Sequence, residues 1–295
     1  MHWQHTIAKT GSLGGIGLHT GEPVSVTLHP AEINHGVVFS RLEAEGTIRI
    51  PALVEHVVDT QLATTLGRDG KRIATIEHLI AALSAEGIDN VLIEVHGSEV
   101  PILDGSSMPW LTLLEELGRK RQEAPQRYLR VLKAVEICEG DRKGVLLPAD
   151  RLEIEISVDY PHPLLGAQQM SFVLERERFR EEIGWARTFG FLAQVEAMRA
   201  AGLARGGSLE NALVFDDTSL LNQEGLRAPD EPLRHKVLDA VGDLALVGMP
   251  LHCRLVANRP GHALHHALLH ALLNDPGAWT VETYTAAAEM SVSGK

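Results

Sequence analysis

Residues 75–97 read TIEHLIAALSAEGIDNVLIEVHG. Ile76, Leu79, Ile80 and Leu83 recur at helical spacing, Thr75 is a candidate N-cap and Gly87 a natural stop. The run VLIEVHG that follows is short and rich in β-branched residues, as a strand is. A helix passing at once into a strand, among further strands, indicates an α+β fold. Working outward, PVSVTLHPA (23–31) and HGVVFSRL (35–42) alternate apolar and polar residues as strands. DGSSMPWLTLLEELG (104–118) opens a second helix, with Asp104 or Ser106 as its cap.

The stretch RKRQEAPQRYLRV (119–131) is basic and polar and contains a proline, so a domain boundary is expected near 119–127. Strand patterns resume in YLRVLKAVEI, GVLLPA and RLEIEISVDY. A helix is expected over LAQVEAMRAAG, a strand over NALVFD, a helix over PLRHKVLDAVGD, a strand over HCRLVANRP and a last helix over GHALHHALLHALLND. The expected organisation is two α+β domains, 1–122 and 127–280, with helices packed on largely antiparallel sheets. A frayed tail is expected over 281–295.

The bulk numbers narrow the class. The chain has 295 residues, 44% hydrophobic and 22% charged, an ordinary globular mix. Its formal net charge of −12 does not suit sequence-independent nucleic-acid binding. Cys138 and Cys253 form no close-spaced motif, so neither a disulfide framework nor a cysteine zinc site is indicated. MHWQHTIAKT lacks a basic region followed by an apolar run, and no 18-residue apolar stretch occurs. The expected compartment is the cytoplasm.

PLRHKVLDAVGD (232–243) places His235, Asp239 and Asp243 at steps of four, on one helical face. A histidine and a carboxylate so placed form half a metal site, although a lone pair of this kind is usually a solvated stripe. Glu77 and His78 stand on an otherwise apolar helix, where a polar pair is costly to bury unless paired or coordinated. His78 would then be a ligand, with Glu77 directed at water for hydrolysis. His262, His265, His266 and His270 follow one another at helical intervals. His265, His266 and His270 are expected on a wet face, whereas His262 follows Gly261 at a strand-to-helix corner of the kind that presents catalytic groups. Gly206–Gly207 permit a tight turn, but no G-x-G-x-x-G or Walker phosphate loop is present. Thr188 lies between Arg187 and Phe189 in ARTFGF and says little alone.

Taken together and in order, GIGLHTGEPVSVTLHPA, TIEHLIAALSAEGIDNVLIEV, VPILDGSSMPW, ARTFGF, LNQEGLR, RHKVLDAVGDLAL and GHAL resemble the zinc-dependent UDP-3-O-acyl-N-acetylglucosamine deacetylase family of lipid A biosynthesis. The matching segments span roughly residues 15–265. The resemblance implies paired helices sandwiched between sheets, a site between the domains, and one Zn²⁺ (or Fe²⁺ in the same place) on His78, His235 and Asp239. It further implies Glu77 as general base and His262 as general acid, with Asp243 holding and tuning His262. Thr188 would hydrogen-bond the oxyanion, Phe189 would pack on the sugar and Lys236 would meet the nucleotide phosphates. An acyl passage is expected near residues 190–212.

The expected substrate is UDP-3-O-acyl-N-acetylglucosamine, the expected products are acetate and free amine, and a monomer suits such a site. Two features depart from the commonest pattern. Pro232 stands where a bulky apolar residue is usual, a substitution that the first turn of a helix tolerates. Histidines follow GHAL where polar amides are usual. Two rivals fit the same residues: a non-haem Fe(II) oxygenase using two His and one Asp, and a non-catalytic histidine-rich metal-binding module.

Overall fold

The computed structural model describes residues 2–43 and 46–284. Of the tail expected over 281–295, residues 285–295 lie outside them, whereas 281–283 belong to the strand Trp279–Thr283 and are not frayed. Six helices and nineteen strands are formed among the described residues, an α+β arrangement as expected. The helices are α1 (Glu77–Glu86), α2 (Met108–Leu117), α3 (Arg176–Arg178, a single turn running into the π-helical Phe179–Ile183), α4 (Leu192–Ala200), α5 (Glu231–Leu244) and α6 (His262–Leu273).

A five-stranded sheet takes the order Gly11–Ile16, Pro23–Pro30, Val91–His96, Val37–Glu43 and Gly46–Pro51. Its neighbours are antiparallel except Val37–Glu43 and Val91–His96, which run parallel. A seven-stranded sheet is built from strands between Arg127 and Thr283. Within it Leu251–Asn258 pairs antiparallel with Arg142–Pro148 and parallel with Leu152–Tyr160. Its last strand, Trp279–Thr283, pairs antiparallel with Arg127–Val131.

The basic stretch read as a boundary is itself a strand. Arg119–Pro125 pairs antiparallel with Trp3–Ile7, and the Arg121 guanidinium lies 4.3 Å from the centre of the Trp3 ring. Its charged side chains suit the exposed ribbon that it forms. The indole offers the arginine a π face in place of an apolar partner.

Helices α1 and α5 pack against each other, and α6 packs on α5 and on the strands Val135–Glu139 and Arg142–Pro148. One continuous apolar core joins Phe39, Ile50 and Ile93 of the first sheet to Leu79 and Ala82 of α1, Leu238 and Val241 of α5, and Ile154 and Leu255 of the second sheet. The α1 pattern therefore understated its burial. Every residue of α1 except Ser84 is buried, Glu77 and His78 included. Gly87 ends the helix in the left-handed conformation, φ +63°, as expected. Thr75 does not cap it. Its own φ is +59°, and its hydroxyl donates to the buried Glu99 carboxylate at 2.8 Å.

The helix pair is drawn together at one glycine. A Cβ on Gly242 of α5 would lie 2.3 Å from the Glu77 carbonyl oxygen, a backbone atom that no rotamer change can remove. Gly242→Ala is expected to force the helices apart and lower stability by about 1–3 kcal/mol. Urea denaturation measures this directly, and a variant as stable as the wild type would show that the contact is not close.

Candidate functional site

Three elements meet where α1 begins, α5 is at its middle and α6 begins. His78 comes from α1, and His235 and Asp239 from successive turns of α5. Their ligand atoms lie within 4.8 Å of one another and all three residues are buried. The rings of His78 and His235 meet edge to face with centroids 4.9 Å apart. Asp239 Oδ1 lies 3.3 Å from His235 Nε2 and 3.9 Å from His78 Nε2.

The second nitrogen of His235 settles which proton it carries. Nδ1 lies 3.0 Å from the Ala186 carbonyl oxygen, which accepts only, so the proton sits on Nδ1. The Nε2 lone pair then faces a carboxylate oxygen, and two acceptors confront each other in a buried space. A cation between them relieves that repulsion, so the donor set fits a metal ion such as those bound by His and Asp. Burial supports the same state, holding His78 down to about 3 and His235 below its ordinary range, so both imidazoles are neutral. Burial alone would raise the Asp239 carboxyl, but the charges of Lys236 and of the protonated His262 oppose this, and Asp239 stays ionised.

The segment carrying Ala186 is itself anchored. Arg187 is buried, and its guanidinium bonds the fully buried Glu231 of α5 (2.8 and 3.1 Å), Glu224 and the Gly225 carbonyl. Nothing in the short stretch ARTFGF pointed to this role. The signal available was an arginine beside two candidate site residues, with acidic partners some 40 positions away.

Glu77, one residue before His78, faces His262 at the start of α6. Glu77 Oε1 and His262 Nε2 are 3.7 Å apart. Burial lifts the Glu77 carboxyl to about 7, while His262 pulls it down. His262 Nδ1 meets Asp243 Oδ2 at 2.7 Å. Burial opposes charge on His262, but Asp243 outweighs it and raises the imidazole to about 10. Asp243, fully buried, is held well below the usual carboxylate range: burial pushes it up, and the neighbouring His262 and His266, with the hydrogen bonds from His262 and His265, more than reverse this. Asp239 and Asp243, indistinguishable by spacing, thus face different partners.

Thr188 and Phe189 line an apolar cavity of about 310 Å³, together with Leu18, Leu62, Val195 and Met198. Its lining includes residues from the 190–212 region expected for an acyl passage. Phe189 and Tyr160 meet in a T-shaped contact (5.7 Å), Phe189 also approaches His235 (6.4 Å), and the Lys236 ammonium lies 5.5 Å from the Phe189 ring centre. Lys236 also donates to Asp239 Oδ2 at 3.1 Å. A second cavity, about 560 Å³, lies elsewhere, at the far ends of α1 and α5, and takes in none of these residues.

The expected wet face of α6 is corrected. His270 is exposed, but His265 and His266 are buried against Asp243 and Thr64. The Ala/Leu pattern suggested one apolar face. In the fold α6 is enclosed on several sides, by α5 and two strands. Thr64 was not singled out at all, since a threonine in ATTLG carries no signature.

Comparison with known proteins points to one family. The family described as UDP-3-O-acyl N-acetylglycosamine deacetylase (LpxC) matches residues 4–274. A protein of Myxococcus xanthus named UDP-3-O-acyl-N-acetylglucosamine deacetylase is 48% identical over 94% of this chain and 88% of its own length. Proteins of the same name from Anaeromyxobacter dehalogenans (49% identical; 97% of this chain, 92% of its own) and Phenylobacterium zucineum (44%; 96% and 97%) are similar along nearly their whole lengths.

Proposed function

The chain belongs to the UDP-3-O-acyl N-acetylglycosamine deacetylase family, and from that premise we propose that it removes the N-acetyl group of UDP-3-O-acyl-N-acetylglucosamine, in the service of lipid A synthesis. It is a deacetylase and so a hydrolase. The single observation that carries the assignment to these residues is the buried trio His78, His235 and Asp239, with Glu77 and His262 facing each other beside it.

His78, His235 and Asp239 would hold the ion, which we take to be Zn²⁺, with Fe²⁺ able to occupy the same donors. When bound, it supplies Lewis acidity towards the acetyl carbonyl and acidifies water. Glu77 takes a proton from water as the oxygen attacks the carbonyl carbon. Thr188 donates its hydroxyl to the oxygen that gains negative charge. His262, protonated and held by Asp243, gives its proton to the sugar nitrogen as the C–N bond breaks. Acetate and the free amine leave. The acyl chain occupies the cavity behind Thr188 and Phe189, Phe189 packs on the sugar, and Lys236 offsets phosphate charge that an acidic protein would otherwise repel.

The two segments 1–122 and 127–280 each bring part of this machinery, and the site lies between them. We assign the protein to the cytoplasm and to a monomeric state. No helix among the described residues is long and apolar enough to cross a membrane. The comparisons favour neither the oxygenase nor the metal-storage reading. Acetate release from UDP-3-O-acyl-N-acetylglucosamine, abolished by a chelator and restored by Zn²⁺, is the expected result. Oxygen consumption without acetate would overturn the assignment. So would several tight metal equivalents per chain where one is expected.

A further inference from the structure

Asp243 is shared. Its Oδ2 accepts from His262 Nδ1 at 2.7 Å and lies 2.8 Å from His265 Nδ1. Its Oδ1 accepts the Thr64 hydroxyl at 2.6 Å. Thr64 Oγ1 in turn lies 3.0 Å from His266 Nε2. Every one of these groups except His262 is buried below a tenth exposure.

The hydrogen-bond inventory leaves one assignment of protons. An ionised carboxylate only accepts, so both Nδ1 atoms on Oδ2 must donate. The single Thr64 hydroxyl proton goes to Oδ1, so Thr64 can receive only from His266, whose Nε2 therefore carries a proton. The remaining atoms agree: His265 Nε2 and His266 Nδ1 are buried without hydrogen-bond partners. Thr64 does one thing more. Its backbone N–H donates to Glu77 Oε2 at 3.1 Å. The same residue thus touches the carboxylate beside the metal trio and the carboxylate beneath His262.

We infer that Thr64, His265 and His266 form a positioning frame for the deacetylation: through Asp243 they hold His262 with its proton on Nδ1 and its Nε2 turned to the substrate, and through Thr64 they keep that imidazole in register with Glu77. The inference rests on the deacetylase reading for its kinetic consequences only. His265 and His266 follow His262 by three and four residues, so one helix face delivers all three to one carboxylate. None of the three frame residues needs to touch substrate.

The frame makes demands on individual atoms, and these provide the test. Asn places its amide nitrogen where His carries Nδ1, and Gln places it where His carries Nε2. H265N and H266Q therefore keep the donor each position needs, whereas H265Q and H266N misplace it. Valine at position 64 keeps the shape and loses the hydroxyl, and serine keeps the hydroxyl. We expect H265Q, H266N and T64V to lose about tenfold to a hundredfold in kcat, the range for a hydrogen bond to a charged group. KM and metal content should stay near the wild type. H265N, H266Q and T64S should recover most of the loss.

The favoured amide is the smaller one at 265 and the larger one at 266, so a preference set by side-chain size alone would not reverse between the two positions. Equal kcat within the pairs, or wild-type kcat in T64V, would overturn the frame. Nitrogen-15 NMR of histidine-labelled wild-type protein gives a reading free of turnover. His265 should be the Nδ1–H tautomer and His266 the Nε2–H tautomer, and the opposite assignment of either also overturns it. Should the wild type release no acetate, the functional reading fails, while the tautomers still judge the frame.

Discussion

Asp239→Ala is expected to lose its bound metal and with it all measurable turnover, whereas Asp243→Ala should retain one equivalent of metal and lose rate. The two aspartates sit one helical turn apart on α5, yet their surroundings differ. Asp239 Oδ1 confronts the His235 Nε2 lone pair at 3.3 Å. Removing that carboxylate takes away one of three donors and leaves two neutral imidazoles. Asp243 instead receives His262, His265 and Thr64.

Metal analysis after dialysis, alongside acetate release, separates the two variants, and a metal-free Asp243→Ala would refute the division. The pH profile adds a sign. Asp243 raises His262 to about 10, so the protonated acid persists well above neutrality. In Asp243→Asn the anionic partner is gone and His262 falls towards or below its ordinary value. The loss of activity at high pH should then begin at lower pH than in the wild type. An unmoved alkaline limb would mean that another group sets it.

Glu77→Gln should keep the metal and fold and lose about 10²- to 10⁴-fold in kcat, the range that general base catalysis supplies. Gln is close in size to Glu and keeps an oxygen able to accept from the Thr64 N–H, now 3.1 Å from Glu77 Oε2. What it cannot do is accept a proton from water. KM should move little, because the loss is of an interaction made in the transition state. Full activity in Glu77→Gln would remove Glu77 from the mechanism and leave His262, 3.7 Å away, as the other candidate base.

Some of this architecture was legible along the chain. The spacing of Ile76, Leu79, Ile80 and Leu83, with Gly87 behind them, defines α1 without any tertiary information. The strands around it follow from alternation. Other elements were misread for identifiable reasons. Arg119–Pro125 has the composition of a linker, yet its polar side chains are what the exposed ribbon with Trp3–Ile7 requires. Thr75 has the identity of a cap, but a left-handed backbone aims its hydroxyl at Glu99 instead. His265 and His266 looked like surface residues because a helix pattern reports one buried face. It cannot report that α5 and two strands enclose α6 on others.

The site divides in the same way. Sequence by itself determined which chemical groups are available: an isolated Glu–His pair on an apolar helix, a His and two Asp at intervals of four, and a histidine at a strand-to-helix corner. Ordered motifs across the chain linked these groups to one family. Tertiary structure decided their partners. His78 and His235 are 157 positions apart, and only the crossing of α1 and α5 at Gly242 brings their nitrogens to a common point. Helix geometry places Asp239 and Asp243 on the same face, so it could not say which meets the metal trio and which meets His262. That choice was made by the elements packed against each turn, because a carboxylate's role depends on the donors that surround it and those donors come from distant parts of the chain.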